Sequence, residues 1–253
     1  VTVLADDGAA LVPVGQVGGL GRGERIYAVR FIGPTGYVVT FREVDPLYVV
    51  DLRDPRRPRV AGELKIEGYS AYLHPIGDGL LVGVGQDADE QGRRLGTQVS
   101  LFDVSDPANP RRLQKFALGA GDSPVEFDHH AFLWWPATRL ALVPFTGYGP
   151  NGASREGAAG LTIDRTAIRL LRRVAHPASP EWGGSPPITR SAVVGDLVFT
   201  LSEAGLLGSD LQTLADRAWV PFPAPAPAPE PGPAGPVGPP GAGALFRLPF
   251  AVG

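Results

Sequence analysis

Tyr48-Val-Val-Asp51-Leu-Arg-Asp54-Pro55-Arg-Arg-Pro58 and Leu101-Phe-Asp103-Val-Ser-Asp106-Pro107-Ala-Asn-Pro110 are two copies of one signal. An apolar strand ends in Asp, Asp-Pro follows, and a second Pro stands three residues on. The copies lie 52 residues apart, counted from Asp51 to Asp103. An Asp carboxylate can accept a nearby backbone N–H, Pro fixes φ, and the second Pro ends pairing before the next strand, so the signal reads as a hairpin corner. After each corner comes a short apolar run that also carries charge, Val60-Ala-Gly-Glu-Leu64 and Leu113-Gln-Lys-Phe-Ala-Leu118. Outermost edge strands have this character.

A second repeat precedes the corners: Tyr27-Ala28-Val29, Ser70-Ala71-Tyr72, His130-Ala131-Phe132 and Ser191-Ala192-Val193, with the alanines 43, 60 and 61 residues apart. Small residues suit innermost strands crowded around an axis. Each is followed by another β-rich run: Gly36 to Phe41, Leu80 to Val84, Leu140 to Val143 and Leu197 to Leu201. Repeats of this period indicate stacked units, and four strands per unit specify an all-β fold, a β-propeller. About four blades are expected, over residues 24–66, 69–120, 127–176 and 188–222, with residues 1–20 supplying two outer strands of an incomplete preceding blade. The third unit is expected to carry a Gly-rich excursion from Thr146 to Gly160, and the fourth a degenerate corner at Ser209-Asp210-Leu-Gln-Thr213.

Composition bounds the function. Apolar residues make up 43% of the 253, which excludes global disorder, while 34 Gly and 27 Pro favour turns over long helices. A net charge of -3 without a basic stripe argues against nucleic acid. Zero Cys excludes disulfides, thiolate metal sites and thiol catalysis. No apolar run approaches the roughly 18 residues of a spanning helix. The chain opens on Val1-Thr-Val-Leu with no signal-peptide pattern, so its natural start is expected upstream. Residues 223–253 form a Pro/Ala/Gly-rich tail; ten of the 27 prolines lie between Pro221 and Pro240. An open set of blades leaves strand edges unpaired, so self-association is expected unless Ala244 to Phe250 covers an edge.

Four segments carry a resemblance: Gly36-Tyr-Val-Val-Thr-Phe-Arg-Glu-Val-Asp45-Pro-Leu-Tyr-Val-Val-Asp51, Tyr72-Leu-His-Pro-Ile-Gly-Asp-Gly79, Gly85-Gln-Asp-Ala-Asp-Glu-Gln-Gly92 and Asp128-His-His-Ala-Phe132. Over roughly Val1 to Phe222 the chain resembles a secreted bacterial β-propeller family distantly related to WD repeats. The corner also resembles repeats named for the sequence Leu-Val-Ile-Val-Asp. The resemblance implies an extracytoplasmic location. It brings no catalytic residues, because that family has no established activity.

The densest polar constellation is Glu126-Phe-Asp128-His129-His130. Adjacent His residues on a strand point to opposite faces, so both reach one metal only if the strand has not yet begun. Asp128, His129 and His130, with Tyr69 or Arg190 from neighbouring blades, form the candidate ligand or metal site at the channel mouth; the competing reading is a hydrogen-bonded His holding blades together. Asp87-Ala-Asp89-Glu-Gln91-Gly92 matches the opening of a Ca²⁺ loop. Its twelfth position is Gln98 in place of Glu, and Arg93 and Arg94 oppose a cation unless they turn outward; the competing reading is a solvated hairpin loop. His74, Ser70 and Ser191 read as structural, and Trp134 and Trp135 as one core and one exposed residue. The preferred function is a non-enzymatic extracytoplasmic scaffold presenting its mouth and loops to a protein, peptide or glycan. The alternative is a metal-binding or metal-dependent enzyme centred on Asp128, His129 and His130.

Overall fold

The computed structural model describes residues 1–41, 45–89, 91–148, 154–178 and 184–223. The Pro-rich tail, with the expected edge cover at Ala244 to Phe250, lies outside the described residues. The first hairpin is β1 (Thr2–Asp6) and β2 (Leu11–Gln16). Three four-stranded meanders follow the sequence order: β3 (Arg25–Ile32) to β4 (Thr35–Phe41), β5 (Asp45–Asp51) and β6 (Arg59–Ile66); β7 (Tyr69–Gly77) to β8 (Leu80–Ala88), β9 (Arg94–Asp103) and β10 (Arg111–Gly119); and β16 (Arg190–Val194) to β17 (Leu197–Ser202), β18 (Gly205–Asp210) and β19 (Asp216–Pro221). Between the last two lies a sheet of β13 (Leu140–Tyr148), β14 (Ser154–Ile163) and β15 (Ile168–Val174), with β11 (Gly121–Asp122) and β12 (Leu133–Trp135) end to end along the free edge of β13. All these pairings are antiparallel, so four successive sheets and one preceding hairpin make the all-β architecture.

Strand side chains alternate between faces, and here both faces are covered by a neighbouring sheet. In β8, which is buried throughout, Leu80, Val82 and Val84 join a core with Ala141, Val143 and Phe145 of β13, whereas Leu81 joins a core with Val39, Leu47 and Val49 of the first sheet. In β13 the intervening Leu140 and Leu142 pack with Val198, Leu207 and Leu214 of the last sheet. Each fully buried Leu or Val contributes about 1.5–3 kcal/mol relative to exposure. The same alternation corrects the expectation for the tryptophans. Trp134 packs on the core between the second and third sheets and Trp135 on that between the third and fourth, so neither is an exposed platform.

The corners are built on one chemistry. Asp51 accepts the Arg53 N–H at 3.1 Å and pairs with Arg59 at the start of β6 at 2.9 Å; Asp103 accepts the Ser105 N–H at 3.1 Å and pairs with Arg111 at 3.4 Å. The degenerate fourth corner repeats it, since Asp210 accepts the N–H groups of Gln212 and Thr213 and pairs with Arg217 at 2.8 Å. A third copy with no Pro motif stands at Asp164, which accepts the Thr166 N–H at 2.7 Å and pairs with Arg169 at 2.8 Å. These carboxyls all lie below the ordinary carboxylate range: an Arg53 side-chain hydrogen bond is the main cause at Asp51, the Ser105 hydroxyl at Asp103, the Thr166 hydroxyl at Asp164, and Arg217 at Asp210.

Each corner also docks on the preceding sheet. A Cβ on Gly15 of β2 would stand 2.2 Å from the Pro55 carbonyl oxygen, and one on Gly62 of β6 would stand 2.3 Å from that of Pro107. On β10 the corresponding place is Gln114, whose amide donates to the Thr166 carbonyl of the next corner at 3.2 Å. The contact equates β2 with β6 as an outer strand. The expected excursion from Thr146 to Gly160 is instead the extension of a β13–β14 hairpin, paired from Leu140↔Thr162 to Tyr148↔Ser154. Its glycines answer to close approach: a Cβ on Gly160 would stand 2.0 Å from Leu214 Cδ1 of the fourth corner. The outer strands carry Lys65, Arg111, Lys115, Arg169 and Arg172, cations that oppose edge-to-edge pairing.

His176, 2% exposed, lies between the third and fourth sheets. Its Nδ1 is 2.7 Å from Ser202 Oγ and its Nε2 2.9 Å from Thr200 Oγ1, and its ring meets Trp219 edge-on at 4.8 Å. Hydroxyls can donate to one ring nitrogen and accept from the other, so the neutral ring is fully paired. Burial lowers its pKa to about 4.

Two outcomes follow from this packing. Gly62→Val, which forces a side chain into the Pro107 corner, is expected to lower stability by about 1–3 kcal/mol, whereas Gly18→Ala, with open space around it, is expected to be neutral; urea unfolding of both measures the contrast, and equal midpoints would refute the docking role. For His176, the unfolded ring titrates near 6.5 and the folded one near 4, so the unfolded state binds more protons between those values. Stability is therefore fully present above the higher value and falls by up to about 3 kcal/mol as pH drops to the lower one. His176→Gln should remove that part of the pH dependence, as read from unfolding midpoints across the window.

Candidate functional site

Regular pairing fails at the same level in three consecutive sheets. In the first, Ile26 pairs with Thr40 and Ala28 with Val39, leaving Tyr27 as the extra residue of a bulge. In the second, Ser70 pairs with Gly85 and Tyr72 with Val84, leaving Ala71 extra. In the third the inner strand is cut in two: β11 pairs with Thr146 and Gly147, β12 with Leu140 to Leu142, and the ten residues 123–132 stand opposite the three residues Val143 to Phe145. That insert folds as two 3₁₀ turns, Pro124–Glu126 and His129–Ala131. Bulges of this kind re-aim side chains and cluster near functional sites.

Ser123 starts the insert. Its hydroxyl donates to the Pro144 carbonyl at 2.6 Å, and its N–H donates to Glu126 Oε1 at 3.1 Å to complete a capping box. Asp128 caps the second turn by accepting the His130 N–H at 3.0 Å. The histidines thus lie on a turn before the strand begins, the case in which the two rings are not forced to opposite faces, and their ring centroids are 4.1 Å apart.

The irregularities enclose a cleft of about 320 Å³ lined by Tyr27, Arg30, Tyr72, Glu126, Phe127 and His129, among others. Phe127 is 85% exposed beside it. His129 lies near-parallel to Tyr72, at 14° with centroids 6.3 Å apart. The Tyr72 hydroxyl is 2.9 Å from His74 Nδ1, and burial together with the Arg30 charge lowers the His74 pKa to about 4, so that ring is neutral. Arg30, half-buried, has no ion-pair partner among the described residues. At the other wall, Glu126 Oε1 accepts from the Gln86 amide at 2.6 Å and Oε2 lies 3.5 Å from the Tyr69 hydroxyl. Burial raises the Glu126 carboxyl above its ordinary value, and burial with the Glu126 charge pushes the Tyr69 phenol up to about 12.

Of the residues singled out in the sequence, Asp128, His129, His130 and Arg190 come together. Arg190 on β16 pairs with Asp128 Oδ2 at 2.6 Å, and Asp128 Oδ1 is 3.2 Å from His130 Nδ1. The backbone N–H of His130 is the main cause of the lowered Asp128 carboxyl pKa. Tyr69 stands apart from them, since as the first residue of β7 it is buried in the core against Tyr27, with ring centroids 4.3 Å apart, and faces Glu126. Among the described residues of the acidic loop, both aspartates are already engaged. Asp87 binds Lys115 Nζ through both oxygens at 2.9 Å; Asp89 accepts the N–H groups of Gln91 and Arg93 and pairs with the Arg93 guanidinium at 2.7 Å. Gln91 is therefore a turn donor to Asp89, and Arg93, though exposed, folds back on Asp89 as its counter-ion. Arg30, Tyr27, Tyr72 and Gln86 were not singled out from the sequence. The capping box Ser123-Pro-Val-Glu126 was a readable sign that a turn replaces the strand.

A family model described as "Beta propeller domain" matches residues 1–214. An uncharacterized protein of Methanocaldococcus jannaschii is 49% identical over 131 residues, 52% of this chain and 20% of that protein. An uncharacterized protein of Archaeoglobus fulgidus is 47% identical over 120 residues, 47% of this chain and 18% of that protein. The matched stretch is thus about a fifth of the length of these relatives. Among solved structures, the AfRom2 CNH domain covers 85% of this chain and 75% of its own at 10% identity, with a TM-score of 0.33.

The raised Glu126 carboxyl sets one expectation. Any stability gained from its neutral form is fully present below the ordinary value of 4.5 and is lost as pH rises through the raised one. Glu126→Gln keeps an acceptor for the Ser123 N–H and has no charge to bury. Its unfolding midpoint should therefore fall less than that of the parent as pH rises above that value; parallel pH profiles would contradict the assignment.

Proposed function

The chain belongs to the β-propeller domain family, and we propose that it is a non-enzymatic binding scaffold whose cleft takes a peptide or glycan segment of a partner. The observation that carries this reading is the cleft itself, formed where three inner strands give up regular pairing and lined by aromatic and charged side chains that are only partly buried. Tyr27, Tyr72 and Phe127 offer aromatic surface that can stack on a sugar or an apolar side chain. Arg30 offers an uncommitted guanidinium, which favours a ligand bearing a carboxylate, sulfate or phosphate. Catalysis has less support: the Glu126 carboxyl is held by Ser123 and Gln86, and His74 is held by Tyr72. We also propose an extracytoplasmic location, on the resemblance of the corner and loop motifs to secreted bacterial propellers; the two named relatives are archaeal. No helix among the described residues is long and apolar enough to cross a membrane.

Screening the chain against arrays of immobilised peptides and acidic glycans tests the reading. Binders are expected to be anionic, and Arg30→Ala should weaken them by at least about tenfold, as should Tyr72→Ala, while Arg56→Ala on a distant corner should not. Ligands that bind all three variants as they bind the parent would place recognition elsewhere.

A further inference from the structure

We propose that Asp128, His129 and His130 bind one divalent transition-metal ion, in exchange for the guanidinium of Arg190. One donor atom from each residue lies within 4.8 Å of the other two, and among the described residues no other group of three His, Asp or Glu converges in this way. The arrangement follows from the insert. Had residues 128–130 continued an inner strand, the two imidazoles would face opposite cores; on the 3₁₀ turn they share a side.

Two imidazole nitrogens and one carboxylate oxygen suit Zn²⁺, Co²⁺, Ni²⁺ or Cu²⁺, and not Ca²⁺ or Mg²⁺, which take oxygen donors throughout. Three protein ligands leave coordination positions open. His130 and Asp128 are accessible, with side chains 69% and 39% exposed, so an ion can reach them without unfolding. Arg190 already supplies a positive charge to Asp128 Oδ2 at 2.6 Å. A metal that takes this carboxylate must displace or share with it. Because Arg190 lies on β16 and Asp128 in the third sheet's insert, the exchange would alter a tie between neighbouring sheets beside the cleft that His129 lines.

Titration of the whole chain with Co²⁺, followed by its visible d–d absorption, tests this independently of any cleft ligand. One equivalent is expected to bind saturably, with Zn²⁺ competing and Ca²⁺ not. His129→Ala and His130→Ala should each weaken binding by at least about tenfold, and Arg190→Gln should tighten it by freeing the carboxylate; circular dichroism confirms that the exposed substitutions leave the fold intact. The proposal is overturned by non-saturating or Ca²⁺-sensitive binding, or by parent-like affinity in both histidine variants. Weaker binding in Arg190→Gln would overturn the exchange with the guanidinium.

Discussion

The structure depends on sheets that are apolar on both faces. A sheet with one apolar face can settle against a single partner, but β8 and β13 send alternate side chains into two separate cores, so each requires a neighbour on both sides. Stacking is therefore obligatory, and stability is shared between nearest neighbours rather than owned by any one sheet. The corner completes the stack at its outer side. In the first two corners its backbone rests on the outer strand before it, at Gly15 and Gly62, and in the fourth the Leu214 side chain rests on Gly160 of β14. On the inner side the ties are made by side chains instead, Gln86 to Glu126 and Arg190 to Asp128.

Four sheets were legible because their inner-strand alanines and second strands recur, yet the corners were undercounted. Asp54 and Asp106 hold the proline turns by accepting the Arg56 and Ala108 N–H groups at 3.0 Å, but what these corners share with the proline-free ones is the earlier carboxylate, Asp51 or Asp103. That carboxylate accepts local N–H groups and then reaches an Arg on the following strand. The Asp-to-Arg separation is 8 residues in the first two corners, 5 from Asp164 to Arg169 and 7 from Asp210 to Arg217. Turns of different length converge on one pairing, so no fixed spacing could reveal the third copy. Thr166 and Thr213 add hydroxyl donors in the two corners that lack proline.

The site was legible as a constellation and not as a shape. Asp128, His129 and His130 stood out by density, and Arg190 by its place on the next inner strand. Bulges at Tyr27 and Ala71 left no sequence signal, because a bulge changes pairing without changing residue type. Tyr69 reaches the region from the other wall, its hydroxyl 3.5 Å from Glu126, and not from beside Asp128 and the histidines. Asp87 and Asp89 matched a calcium pattern in residue type, but their geometry was decided by Lys115, 28 residues away, and by Arg93.

The insert in the third sheet is the strongest reason to look for function at the mouth. Three residues would have completed the inner strand opposite Val143 to Phe145; ten are used. The lost ladder is only partly recovered, through the Ser123 hydroxyl on the Pro144 carbonyl. Proline at 144 has no N–H to contribute to a full ladder, so this edge was already unsuited to regular pairing. What the insert adds is an exposed Phe127, a half-buried carboxyl and two accessible imidazoles. None of these improves a core that Val125 and Ala131 already fill from the same segment. Departures from local consistency are where binding sites are expected, and here the departure in one sheet faces the bulges of the two before it. A scaffold serving only stability would have kept three regular inner strands.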